Sequence, residues 1–290
     1  MNKSFTLIEI LVVIVVIGVL SAFILVGMSS ITSKANIAKG QAFLNSMDNS
    51  LLLGRISQWK LDVNNVPAAN RTPDTWGINT GTLGDGVTAT TFPTLQESGC
   101  VSGKCFSFDG GDYIDCGSGT TLDITTAITV SVWVKTTNSS TTQMIVEKSP
   151  SGTNGYNMLS ANGQLEGRIY PSAIVSTSVL SNGAWHYIVM SDQNITNGWN
   201  LYSDGTRVIQ QNGVAILTNG QPFYIGMRGG ASLPFTGSID DVRVYNQAIP
   251  ISEIQQNYFA GINNLYKNNG ISLNEFNQRL VELKSNIANK

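Results

Sequence analysis

The chain has 290 residues, enough for one or two domains, and a formal net charge of −2. Its 17 basic and 19 acidic residues leave no basic field to draw nucleic acid. Charged residues make up 12% of it, against roughly 25% in an average soluble domain. Gly, Asn, Ser and Thr take their place, which suits a secreted β-rich surface better than a cytosolic enzyme.

The first element is apolar. From Leu7 to Met28 the run is broken by a single acid, Glu9. About 20 apolar residues at 1.5 Å rise span a bilayer core, so a transmembrane helix is predicted over 7–28. A carboxylate inside such a run costs a few kcal/mol and marks a functional residue. No proline occurs from Ser29 to Leu53, and Ile31, Ala35, Ala38 and Ala42 recur at helical spacing. The helix is therefore predicted to continue to Gly54, roughly 70 Å in all, and its second half needs company.

Beyond Gly54 the period changes. Residues 56–61 (ISQWKL) alternate apolar and polar, a strand signature. Residues 62–99 read as loops with short strands. Strands are predicted at Ile128–Val134, Trp185–Met190, Asn200–Ser203, Phe223–Ile225 and Ile239–Tyr245, with a hairpin turn at Asp204-Gly205. Many short strands with Gly/Asn turns and no βα alternation predict an antiparallel sandwich. After Pro250 the pattern is helical again, with Ser252-x-x-Gln255 and Ser272-x-x-Glu275 as capping boxes. Phe276, Leu280, Leu283 and Ile287 form one apolar stripe on the second helix. The fold class is thus mainly β: a long N-terminal helix over 5–54, an antiparallel β-sandwich over 55–249 and a C-terminal helical hairpin over 250–290.

Three cysteines lie close together, Cys100, Cys105 and Cys116. In a chain whose body lies outside the membrane they point to a disulfide. Cys100 and Cys105 bracket a four-residue turn; Cys105 and Cys116 would face each other across a hairpin around Asp109–Asp112. The first pairing is favoured. A zinc site lacks its residues, with no CxxC and one histidine, His186, which reads as structural. No strand carries an E-x-D-x-x-E array, and Glu147 and Glu166 read as isolated acids in loop-like surroundings. The chain is expected not to be an enzyme and to require no cofactor. Trp133 and Trp185 read as core. Trp76 and Trp199, set among Gly, Asn and Thr, read as exposed aromatics able to stack on sugars.

Lys3, residues 5–9 (FTLIE) and the β-branched run behind them resemble the leader and N-terminal helix of type IV prepilins and type II secretion pseudopilins. The resemblance implies a leader over 1–4, cleavage by a prepilin peptidase between Ser4 and Phe5, and N-methylation of Phe5. Ser4 stands where that family usually has glycine. Glu9 then meets the N-terminal amine of a neighbouring subunit. The implied location is the bacterial inner membrane as a single-pass protein, then a cell-surface filament or a periplasmic pseudopilus.

The β region resembles the LamG-like jelly rolls of the concanavalin A-like lectin/glucanase superfamily. Residues 106–114 (FSFDGGDYI) are similar to its signature hairpin, 130–134 (VSVWV) and 185–187 (WHY) to two central strands, and 237–246 (GSIDDVRVYN) to its closing strand. This resemblance implies a jelly roll in place of an ordinary pilin head. It also implies an optional calcium near Asp109, Asp112, Asp240 and Asp241, and glycans or surface polymers as partners. The reading at this level is a pilin-like subunit displaying a lectin-like domain for adhesion; its alternative is a secretion pseudopilin whose β domain meets partner subunits or cargo.

Overall fold

The computed structural model describes residues 54–62, 70–149 and 152–288. These belong to the compact unit Leu51–Lys290. The leader, Ser4, Phe5, Glu9 and the N-terminal helix lie outside the described residues. No helix among the described residues is long and apolar enough to cross a membrane.

In chain order the strands are β1 (Arg55–Trp59), β2 (Arg71–Thr72), β3 (Gly81–Leu83), β4 (Thr94–Gln96), β5 (Cys105–Asp109), β6 (Ile114–Asp115), β7 (Ile128–Lys135) and β8 (Gln143–Glu147). They continue with β9 (Tyr156–Ala161), β10 (Gln164–Ile169), β11 (Ser172–Val179), β12 (Trp185–Asp192), β13 (Trp199–Ser203), β14 (Thr206–Gln211), β15 (Tyr224–Ile225) and β16 (Thr236–Tyr245). Two helices follow, α1 (Ile251–Lys267) and α2 (Leu273–Ala288). The strands form two antiparallel sheets, one ordered β14-β13-β12-β7-β16-β5-β4 with β1 also beside β16, the other β11-β10-β9-β8-β15-β6-β3-β2.

Period-two alternation puts one face of each sheet in the core. Val130, Val132 and Val134 of β7 and Ile188 and Met190 of β12 meet Ile114, Ile225, Val146, Met158 and Ile174 of the second sheet. Trp59 stacks on Phe223 at 5.2 Å and joins the two layers at the β1 end. β16 is long enough to serve two neighbours: residues 236–239 pair with β5 and 242–245 with β1. Its bulge between Asp240 and Arg243 falls where the neighbour changes, and Asp241 takes a φ of 45° there.

The outer face of the first sheet is covered by the helices. Trp133 stacks on Tyr258 of α1 at 5.8 Å, and Arg243 Nη1 donates to Asn257 Oδ1 at 2.8 Å. Arg279 of α2 donates to the Trp185 carbonyl at 2.8 Å. This double cover makes every residue of β12 and β13 buried.

The predicted hairpin turn at Asp204-Gly205 joins β13 to β14, both residues at positive φ. Three local expectations are corrected. β5 and β6 sit in different sheets, so residues 109–112 cross between layers instead of closing a hairpin. α1 starts after Pro250 with no side-chain cap, so Ser252 is not its cap, whereas Ser272 Oγ does accept the Glu275 amide at 3.1 Å. The stripe on α2 buries Phe276, Leu280 and Leu283 but leaves Ile287 51% exposed.

Candidate functional site

Among the described residues no helix packs on the outer face of the second sheet, and that face is polar. Residues directly opposite each other in antiparallel strands share a face. The register therefore draws one row across seven strands: Thr82 opposite Asp115, Asp115 opposite Tyr224, Tyr224 opposite Glu147, Glu147 opposite Asn157, Asn157 opposite Arg168, and Arg168 opposite Ala173. The neighbouring row, from Ile114 through Ile225, Val146 and Met158 to Gly167 and Ile174, is the one that enters the core. The polar row thus faces away from it.

The centre of this row is costly. Glu147 and Asn157 are fully buried, and apart from weak contacts of the Glu147 carboxyl with the Asn157 amide and with Arg228 their polar atoms lack well-formed hydrogen bonds. Each such group costs about 1–3 kcal/mol. Burial raises the Glu147 carboxyl to about 7, and the Arg228 guanidinium, with Nε 3.5 Å away, offsets this only partly. One strand further, Arg168 pairs with Glu166, and Tyr170 Oη lies 3.4 Å from both Arg168 Nη1 and Arg228 Nη2. Tyr224 meets Tyr113 edge-on at 6.1 Å. The half-buried members, Asp115, Arg168, Arg228 and the phenols of Tyr113, Tyr170 and Tyr224, offer donors and acceptors suited to a hydroxyl-rich ligand, over the buried Glu147, Asn157 and Glu166.

Glu147 and Glu166 are therefore not isolated loop residues: they lie on β8 and β10 of one sheet. What hid them is that β8 and β9 interleave polar residues with apolar ones that are buried too. The legible signal was the polar alternation Glu166–Arg168 between Leu165 and Ile169. Asn157, Arg168, Tyr170, Tyr224 and Arg228 were all missed by the sequence reading.

The four aspartates proposed for calcium occupy separate settings. Asp112 Oδ2 accepts the Asp109 amide at 2.7 Å, and burial pushes the Asp112 carboxyl up to about 6. Asp109 Oδ1 accepts the Gly111 amide at 2.9 Å, a turn bond. Asp240 is fully buried beneath the cysteine loop and accepts the amides of Val101 and Ser102 at 2.8 and 3.1 Å. Burial, and next the Asp241 charge, hold its carboxyl well above the usual range. Asp241 turns the other way, to Arg243 and to Gln58 Nε2 at 2.7 Å; these outweigh burial and lower it. Among the described residues no group of three or more His, Cys, Asp or Glu side chains is arranged to hold a metal.

Cys100 and Cys105 form a disulfide with Cα atoms 5.5 Å apart, and Cys116 is a buried thiol. Trp76 is 41% exposed, with the Arg55 guanidinium 4.8 Å above its ring and its Nε1 donating to the Arg55 carbonyl at 2.9 Å. Trp199 corrects the sequence reading. It points between the sheets and is 1% exposed. Trp133 and Trp185 are buried. His186 lies between Asp204 Oδ2 at 2.7 Å and Asn182 Oδ1 at 2.9 Å, a clamp between two turns.

Residues 108–255 match the concanavalin A-like lectin/glucanases superfamily. The chain belongs to that superfamily. Residues 1–25 match the prokaryotic N-terminal methylation motif, so one chain joins a methylation segment to a concanavalin A-like jelly roll. No curated protein matches it.

Among solved structures, the chain is similar to the binding domain of Paraclostridial Mosquitocidal Protein 1, with 15% identity and a TM-score of 0.57 over 72% of this chain and 53% of that one. It is similar to the botulinum neurotoxin serotype D ligand-binding domain in complex with N-acetylneuraminic acid, with 16% identity and a TM-score of 0.55 over 74% and 52%. Domain 4 of a GH43 extracellular arabinanase from Geobacillus stearothermophilus, in complex with arabinotriose, matches at 19% identity and a TM-score of 0.51 over 70% and 97%. The chain spans about half the length of the two toxin domains. At these identities the likeness is one of fold.

Proposed function

We propose that the chain is a type IV pilin-like structural subunit that displays its jelly roll for adhesion, by binding glycans or surface polymers without turning them over. The observation that carries this reading is the junction itself. A methylation motif over residues 1–25 shares a chain with a concanavalin A-like domain whose first strand begins at Arg55. The half-buried members of the polar row, Asp115, Tyr224 and Arg168, supply the contact surface, with Glu147 and Asn157 buried between them. Solved structures of similar fold hold N-acetylneuraminic acid or arabinotriose, which agrees with a carbohydrate ligand.

Binding is favoured over hydrolysis by the electrostatics of the two glutamates. Retaining and inverting glycosidases need one free acid and one free base or nucleophile flanking the bond. Here Glu166 is held by Arg168 and Glu147 faces Arg228. The methylation motif supports a location in the bacterial inner membrane before assembly into a cell-surface filament or periplasmic pseudopilus, with other pilin-like subunits and a prepilin peptidase as partners.

The test is a glycan array probed with the full-length chain, as monomer in detergent and in assembled form, beside an assay for released reducing sugar. Weak monomer binding that strengthens on assembly is expected, because avidity rises without new contacts. Release of reducing sugar would contradict the binding role. Silence of the assembled form on every glycan would move the weight to the secretion pseudopilin reading.

A further inference from the structure

We infer that the end of the sandwich near Trp199 is a second binding site, specific for an uncharged, hydroxyl-rich ligand of the size of a short neutral saccharide. This rests on the glycan-binding reading but places a ligand away from the polar row. A cleft of ≈ 520 Å³ opens there, lined by Ser172 at the start of β11, by Trp199 and Gln211 at the paired ends of β13 and β14, and by Asn197, Asn212 and Gly213 in the adjoining loops. That volume falls in the range of small-molecule sites, about 300–1,000 Å³.

The chemistry of the lining selects the ligand. None of the residues lining the cleft carries a charge, whereas the polar row holds Glu147 and Arg168. A carboxylate-bearing sugar would find no counter-ion here. Carboxamides of Asn197, Gln211 and Asn212 supply both donors and acceptors, the pairing that vicinal hydroxyls require. Asn212 spends its amide oxygen on the Asn197 backbone amide at 3.1 Å and keeps its NH₂ group.

A second, independent observation is the indole of Trp199. The residue is 99% removed from solvent, and its Nε1 has no hydrogen-bond partner. A buried donor left unpaired costs about 1–3 kcal/mol, and buried Trp N–H groups usually find an acceptor. Trp133, Trp185 and Trp199 are all buried, yet Trp185 spends its Nε1 on the Gly99 carbonyl at 2.7 Å. Trp199 packs in the core and also lines the cleft, so a ligand hydroxyl entering there is the acceptor assigned to its Nε1.

The test uses the full-length chain in detergent micelles with ¹⁵N-labelled tryptophan, arabinotriose as the neutral probe and N-acetylneuraminic acid as the acidic one. The Trp199 indole resonance is assigned by its loss in Trp199→Phe. Arabinotriose is expected to shift that resonance, and N-acetylneuraminic acid to leave it in place. The exposed double substitution Gln211→Ala with Asn212→Ala, which removes two surface amides together with the Asn212 bond to the Asn197 amide, is expected to weaken arabinotriose at least tenfold, and Gln211→Ala alone, which leaves that bond in place, to weaken it measurably. Undiminished arabinotriose binding by the double variant, or an equal shift with the acidic probe, overturns the site while leaving glycan binding intact. If neither probe binds anywhere on the chain, the glycan reading itself fails and the cleft with it.

Discussion

Glu147 is the residue on which the outer face turns. Its carboxyl is raised from the ordinary range, near 4.5, to about 7 because burial outweighs the Arg228 charge and the contact with the Asn157 amide. The folded state therefore holds the proton more tightly than the unfolded chain. The sign follows from linkage: stability is greatest below pH 4.5 as far as this group is concerned, falls as pH rises from 4.5 to 7, and levels off above. The span is on the order of 3 kcal/mol. Asp112, raised to about 6, adds to the same slope over its lower part. Glu147→Gln is expected to remove most of the pH dependence between 5 and 7 and to be more stable than wild type at pH 8. Urea titrations at stepped pH measure this; an unchanged slope in the variant would show that Glu147 is solvated in the folded protein.

At the scale of elements, two contacts hold the first sheet's outer layer and its edge. α1 lies so close to β7 that a Cβ at Gly261 would overlap the Trp133 ring. Gly261→Ala is therefore expected to destabilise by about 1–3 kcal/mol, as over-packing does, despite the better helix propensity of alanine. Differential scanning calorimetry checks it; a stabilised variant would mean the helix can lift off the sheet freely. The disulfide closes a short loop whose amides cap buried Asp240. Its chain-entropy worth is about 2 kcal/mol. Cys100→Ser with Cys105→Ser is expected to cost at least that in a chemical melt, because a loosened loop also uncovers the Asp240 carboxylate. A loss well under 1 kcal/mol would show the loop to be held by its hydrogen bonds alone.

The same scale shows what was legible. Strands β7, β12 and β16 were readable because their β-branched runs are long and lie in the middle of a sheet. Trp199 was misread because Asn and Gly flank it on both sides, and such neighbours mark a strand end as readily as an exposed loop. The polar row could not be read from any single strand. It exists only through the register of seven strands, and each contributes one unremarkable residue such as Asn157 or Tyr224. Charge pairing was hidden for the same reason, since Glu147 and Arg228 are far apart in the chain and meet through a loop between β15 and β16.

At the scale of the whole molecule a methylation motif and a concanavalin A-like jelly roll share one chain, which is proposed to be anchored by the first and to bind through the second. Glu9 in the apolar run is expected to pair with a neighbour's Phe5 amine, which relieves the cost of a charge in lipid. Glu9→Ala should therefore still insert but fail to enter filaments, as immunoblots of sheared filament and membrane fractions would show; normal filament incorporation would remove the proposed role. The central claim, a glycan-binding jelly roll carried on a filament, is tested most directly by applying filaments sheared from cells with and without this chain to a glycan array. Retention only of filaments that contain the chain is the result predicted; equal retention of both, or of neither, would contradict it.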